Sequence, residues 1–322
     1  MTSPSAARKA AGESSSGGSA TGGRKLLGQI LKVQGVIREG QLQEALAMLA
    51  RRGVPNYFGS QRFGYRGDTW RIGRALARRD VDDAVGLILG RPTAADHGPT
   101  HRARQLFEEG RFSDALTVWP RMFHAERRAL QALVRTGGNR RRALAAIDER
   151  TREFYVSAYQ SYLFNRVVAT RLEPGLQRLW DGDLAWLHRS GAVFHVEDAQ
   201  REQPRADAFE ISPTGPIFGR RMTAPSGQAG ELEASVLAAE ELPQNALGGP
   251  PLRASGGRRP LRFQSEGAEV SLGADERGPY LELRFVLPRG CYATALLREL
   301  FSLESTAGGA EPEVEETEAE SG

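Results

Sequence analysis

The chain has 322 residues, 40% of them apolar, which is enough for one large or two ordinary domains. No run approaches the ~18 apolar residues needed to cross a bilayer. The N-terminus shows no apolar secretory segment, and one cysteine, Cys291, excludes an internal disulfide and fits the reducing cytoplasm.

Net charge is +3, but residues 304–322 hold seven Glu and no base, so the remainder carries 43 basic against 33 acidic residues. A body this basic suits a phosphate backbone. Lysine occurs only at 9, 25 and 32, so nearly all the positive charge is arginine, the better bidentate phosphate ligand. A GC-rich coding bias would give the same excess of Arg.

Residues 1–24 are mainly Ser, Gly, Ala and Thr, too polar to offset ordering entropy, and are expected to be disordered. A short strand is expected over 26–34. A helix follows over 38–52, where Leu42, Ala45, Leu46 and Leu49 repeat at spacings of three and four and Gly53 is a stop. After a Gly- and aromatic-rich turn at 53–64, residues 69–90 and 98–173 read as helical, with a break at Arg91-Pro92. In this region Leu106, Phe107, Phe112, Ala115, Leu116, Trp119 and Met122 form one apolar stripe. Short strands are expected at 185–187 and 193–196, a Pro/Gly-rich loop at 211–219, a helix at 229–242 and a linker at 248–259. Strands at 261–263, 269–272 and 280–287 follow, the last two joined by a hairpin turn at 275–278. A helix at 294–300 and a disordered acidic tail at 304–322 complete the chain.

The turn at 53–64 is the most informative run. Pro55 pins φ, three glycines permit close approach or positive φ, and Asn56, Gln61 and Arg62 offer forked hydrogen bonding beside Tyr57, Phe58 and Phe63. A rigid turn with aromatic, amide and Arg groups suits a polyanion or an unstacked base, and equally a buried structural turn.

Asn-Tyr-Phe-Gly-x-Gln-Arg-Phe-Gly at 56–64 resembles the signature of the TruD family of tRNA pseudouridine synthases. Residues 157–172 look like the family's Gln-Ser-x-Leu-Phe-Asn helix, and 285–300 like its C-terminal strand, turn and helix. The resemblance covers about 50–302 and implies an α+β fold. In that fold a partial pseudouridine synthase core at 25–64 and 258–303, an antiparallel sheet with helices, is interrupted by a mostly helical TRUD insertion at 65–257. It implies isomerisation of uridine 13 in tRNA, without metal or organic cofactor, in the cytoplasm, with tRNA as partner and no membrane.

By the same resemblance the candidate uridine- and RNA-binding residues are Arg62, Tyr292, Asn56, Gln61, Phe63 and Arg298. Tyr292 matches the aromatic whose ring packs near the flipped base. Arg62 suits a phosphate, or a structural tie to Glu299 or a helix end. Asn56 and Gln61 suit backbone contacts that hold the turn.

The family's nucleophile is an Asp in Gly-x-Lys-Asp, well before the signature. Here no Lys-Asp pair occurs, no Asp precedes Asp68, and residues 32–38 lack the family's Asn-x-Phe strand. No catalytic residue is therefore assigned, and Asp68, which follows the signature, is not taken as the nucleophile. The expectation is an N-terminally truncated or divergent member, inactive as written. A mis-called start, a frameshift, a split gene whose second chain supplies the other half of the core, and a true loss all stay open. The alternative function is a non-catalytic RNA-binding or protein-interaction module derived from the TRUD domain.

Overall fold

The computed structural model describes residues 25–31, 39–275, 278–301 and 314–317. The N-terminal segment 1–24, the stretch 32–38, the turn residues 276–277 and most of the acidic tail lie outside the described residues.

In chain order the elements begin with β1 (Lys25–Leu31), α1 (Glu39–Arg52), β2 (Val54–Pro55) and a 3-10 turn at Ser60–Phe63. Seven helices follow: α2 (Thr69–Arg78), α3 (Val81–Leu89), α4 (Gly98–Glu108), α5 (Phe112–Val118), α6 (His124–Thr136), α7 (Arg140–Ala145) and α8 (Glu149–Leu172). Then come β3 (Leu184–Leu187), β4 (Val193–His195), α9 (Ala199–Asp207), β5 (Ile211–Ile217) and α10 (Gly227–Ala238). The chain continues through β6 (Gly257–Pro260), β7 (Arg262–Phe263), β8 (Glu266–Asp275), β9 (Gly278–Leu287) and α11 (Ala293–Leu300) to β10 (Val314–Thr317). The fold is α+β, and every strand pairing is antiparallel. Among the described residues no helix is long and apolar enough to cross a membrane.

Among the described residues three sheets form, with strand orders β10-β1-β9-β8, β2-β7 and β4-β3-β5-β6. The described part of the acidic tail, where disorder is expected, is the strand β10 on the free side of β1. One apolar cluster joins α1, β9 and α11 through Leu42, Leu46, Leu283, Phe285 and Leu296. A larger one runs through the helices, from Ile72 to Leu261.

Helix α8 is the axis of the larger cluster. Asp148 caps its start, accepting from Thr151 N at 2.9 Å and Thr151 Oγ1 at 3.0 Å. Its buried face carries Tyr155, Val156, Tyr159, Leu163, Phe164 and Val167. α2 lies against it at Gly73, where a Cβ would fall 2.1 Å from the Tyr155 carbonyl oxygen. Only glycine permits that approach. The end of α8 is held by a buried, two-pronged ion pair, Arg171 to Asp183 at 3.0 and 3.1 Å, with the Arg171 guanidinium stacked 3.6 Å over Trp180.

Besides β10 and α9, for which no strand or helix is expected, two stretches differ from the sequence expectation. Residues 211–217, expected as a loop, are a strand, and so are 257–260, expected as a linker. β5 pairs with β3 over 211–213 and with β6 over 214–217. Each half has a ladder on one side only, so Pro213 and Pro216 are tolerated as on an edge strand. Met122, placed in the apolar stripe, is 76% exposed.

Arg262 sits between the α1–β9–α11 cluster and a third, smaller one that includes Ala206 and Ile211. Fully buried on β7, it donates to the carbonyls of Arg52 at 2.8 Å and Ala206 at 2.5 Å and to Ser212 Oγ at 3.0 Å, while its guanidinium covers the Phe209 ring at 4.2 Å. Burial holds its pKa down to about 10. Arg262→Ala strands those carbonyls at the end of α1 and α9. The expected loss is about 2–4 kcal/mol, read as a lower urea midpoint. An unchanged midpoint would contradict this account.

Candidate nucleic-acid interface at the signature turn

The signature turn is fixed from three directions. β2 pairs with β7, Val54 opposite Phe263 and Pro55 opposite Arg262. Beyond it, Asn56 N donates to Leu261 O at 2.8 Å and Asn56 Nδ2 to Pro260 O at 2.8 Å. From α8, the Asn165 amide clamps the backbone of Phe58: Phe58 N donates to Asn165 Oδ1 at 2.9 Å, and Asn165 Nδ2 donates to Phe58 O at 3.0 Å. From the C-terminal turn, Tyr292 and Thr294 press on Gly59. A Cβ there would lie 2.6 Å from Thr294 Oγ1 and 2.9 Å from Tyr292 Cδ1. Gly59 is therefore needed for contact between segments more than 230 positions apart.

Arg259 binds these parts together. Its Nη2 donates to Asn56 Oδ1 and to Gly290 O, the latter at 2.9 Å. Its guanidinium lies 4.3 Å from the Phe58 ring centre and 5.6 Å from that of Phe164. Burial lowers its pKa. The Phe58 ring meets Tyr292 at 5.9 Å and Phe164 at 5.5 Å, both edge-on. Burial pushes the neighbouring Cys291 thiol up to about 11, so it stays protonated near neutrality despite the Arg259 charge. Sequence reasoning missed Arg259 because it sits in the run read as a linker. The available signal was Arg-Arg-Pro-Leu at 258–261, closing a Gly-rich stretch.

The sequence-predicted residues divide into two groups. Asn56, 2% exposed, uses its amide within the protein. Tyr292 is half-buried against Phe58 and Gly59. Arg62 contacts neither Glu299 nor a helix end. It donates to the Ser157 and Ser161 hydroxyls of α8, the latter at 3.3 Å, and lies 5.4 Å from the Phe154 ring centre. Among the described residues no carboxylate neutralises it. Gln61 and Arg298 are exposed, and Phe63 is half-buried at the end of the 3-10 turn. Asp68 is ion-paired with Arg66 at 3.1 Å and lines a cavity of about 80 Å³ that includes no residue of 285–300.

A cleft of about 680 Å³ opens beside the cluster. Asn56, Phe58, Arg259, Cys291, Trp186 and His188 line it; among the described residues no Asp does, and Glu266 is the carboxylate on its lining. A cleft of this volume, with aromatic and cationic groups on its lining, is large enough for a planar group the size of a nucleotide. His188 bonds Ser212 Oγ at 2.8 Å and packs 4.8 Å from the Phe209 ring.

The TruD family profile, tRNA pseudouridine synthase D, matches residues 30–300. The tRNA pseudouridine synthase D of Geobacter sulfurreducens is 45% identical over 258 residues, 79% of this chain and 62% of that protein. Its counterpart in Geobacter metallireducens is 42% identical over 273 residues, 84% of this chain and 66% of that protein. The crystal structure described as a tRNA pseudouridine synthase D from Methanosarcina mazei superposes with a TM-score of 0.72 at 26% identity, covering 81% of this chain and 64% of that one. The chain thus spans under two-thirds of the length of each of these three proteins.

Burial, aided by Arg262, lowers the His188 pKa from 6.5 to about 4. The unfolded chain therefore takes up a proton below about 6.5 that the folded ring refuses until about 4, so stability falls as pH drops through that window and levels off below it. The expected loss, with solvent screening of a half-buried ring allowed for, is about 1–2 kcal/mol. His188→Gln should flatten this part of the profile in urea titrations between those pH values; an unaltered slope would rule it out.

The signature turn, the α8 helix and the C-terminal turn meet in one place, and with the profile and relatives they establish that this chain belongs to the TruD family.

Proposed function

We propose that this chain binds tRNA and presents the uridine-facing side of a pseudouridine synthase site. The observation that carries the reading is the packing of Tyr292 and Phe58 around Arg259, next to Arg62, whose charge has no acidic partner among the described residues. Pseudouridine formation flips a uridine, breaks its glycosidic bond and rejoins the base through carbon. In this reading Tyr292 offers a ring to the flipped base and Arg62 a charge to the phosphates, with Gln61, Phe63 and Arg298 on the same approach. Asn56 belongs to the scaffold. The core would comprise 25–64 and 258–303 and the insertion 65–257, a division supported by the cluster of Leu42, Phe285 and Leu296, whose buried members all come from the two core stretches. A tRNA partner places the work in the cytoplasm.

The finer part of the proposal concerns chemistry. The reaction needs a carboxylate beside the ribose; no Asp stands in the family's Lys-Asp context or lines the cleft among the described residues, and the carboxylate on the cleft's lining is Glu266, outside any Lys-Asp context. We infer that the chain by itself binds tRNA but does not turn it over, and that a second chain carrying such a carboxylate would complete the site. Loss of a catalytic carboxylate commonly costs several kcal/mol of barrier, thousands-fold or more in rate.

Filter binding to unmodified tRNA should show affinity falling by orders of magnitude between about 50 and 200 mM salt, as for several phosphate contacts. Arg62→Ala should weaken binding about tenfold, with melting unchanged apart from two lost serine contacts. Salt-independent binding, or none at low salt, defeats the RNA reading. A carbodiimide primer-extension assay should find no pseudouridine. Turnover at an ordinary enzymatic rate overturns the inactivity proposal, and its loss in Asp68→Ala would identify Asp68 as the nucleophile.

A further inference from the structure

A second cavity, of about 590 Å³, lies between the end of α2, the start of α3, the first half of α8 and the loop 251–256. Its size is that of a small-molecule site. Leu76, Val156 and Leu252 give it an apolar face, and Arg79, Asp80, Arg152 and Arg253 are charged groups on its lining. Two features distinguish it from a packing defect. The Nε of Arg152 is buried without a hydrogen-bond partner, and among the described residues its guanidinium has no carboxylate in ion-pair range. Ser157 also lines the cavity, and its hydroxyl accepts from Arg62 of the signature turn. One helical turn of α8 thus serves both the candidate interface and this cavity.

We propose that the cavity receives an unstacked nucleotide of the bound RNA, a neighbour of the one presented to Tyr292. This rests on the tRNA-binding reading. The apolar wall takes the face of a base, Arg152 supplies a donor to its edge or to its phosphate, and Arg62 holds the adjoining backbone. The exposed Glu149 and Glu153 at the rim disfavour a free nucleoside triphosphate, with its several charges, relative to a phosphodiester that carries one.

The test compares Arg152→Ala and Leu252→Trp with the wild-type full chain by filter binding of unmodified tRNA, with thermal melting alongside. Arg152 has no partner to lose, so its variant should fold normally; Leu252→Trp fills the cavity from a loop. Each should weaken binding at least fivefold with melting unchanged, and RNA should slow amide hydrogen exchange across 251–256. If both variants bind as tightly as wild type, or Leu252→Trp binds more tightly, while Arg62→Ala still weakens binding, the cavity is not a nucleotide site and the tRNA reading stands. If the wild-type chain binds no tRNA at low salt, both proposals fall. If Leu252→Trp unfolds, Arg152→Ala decides alone.

Discussion

The run Gly257–Phe263 is shared by two sheets, and the rest of the arrangement depends on it. Its first half, β6, pairs with β5 beneath the helices; its second half, β7, pairs with β2 at the signature turn. Seven residues therefore fix how the helical part sits on the part that carries Tyr292. Side chains alternate along such a run, so neighbouring arginines serve different neighbourhoods. Arg258 turns inward and pairs with Glu233 at 2.6 and 2.8 Å and with Thr214. Arg259 turns to the Asn56–Gly290 cluster, and Arg262 to the carbonyls where α1 and α9 end. None of the three is interchangeable with lysine, because each bonds through more than one edge of its guanidinium.

This explains why the site is made of parts so far apart in sequence. A turn that must receive an aromatic ring from one direction and an amide clamp from another needs its own strand anchored first. β2 is two residues long and would not hold alone. The backbone and side-chain bonds of Asn56 to Leu261 and Pro260 extend the pairing past the end of the strand, so Phe58 and Gly59 are already placed when Asn165 and Tyr292 reach them.

Much of this was legible in the sequence where one signal dominated. α1, α8, α11 and the β8–β9 pair follow their periodicity within a few residues. The signature could be recognised because its glycines and aromatics have few other uses in that order. What stayed hidden was held by tertiary context. β5 carries Pro213, Gly215 and Pro216, which argue for a loop, and it becomes a strand because burial requires its backbone groups to be paired, which β3 and β6 do. α9, Ala-Gln-Arg-Glu-Gln-Pro-Arg-Ala-Asp, has no apolar stripe and contains Pro204; its start is fixed by the Asp198 cap, which accepts from Arg201 N at 2.9 Å. Arg259 was invisible for a different reason. Composition marks an arginine as basic but does not say whether its charge faces water or a ring.

That last point governs how the charge of the whole chain bears on function. Forty arginines suggest a strongly basic surface, yet many are committed to the fold. Arg104 is held by the buried Asp96, Arg171 by Asp183, Arg258 by Glu233, and Arg74 and Arg166 converge on Glu240. A guanidinium already saturated by a carboxylate adds little to a phosphate's potential. The arginines free for a phosphate are those without such partners; of two of them, Arg62 reaches Ser157 of α8 from the signature turn, and Arg152 stands on α8 itself. The net charge of the chain therefore overstates its phosphate-binding capacity, and the position of the unpaired guanidiniums describes it better. They mark a path from the signature turn along α8, with Phe154 41% exposed beside Arg62 as an apolar face on the way.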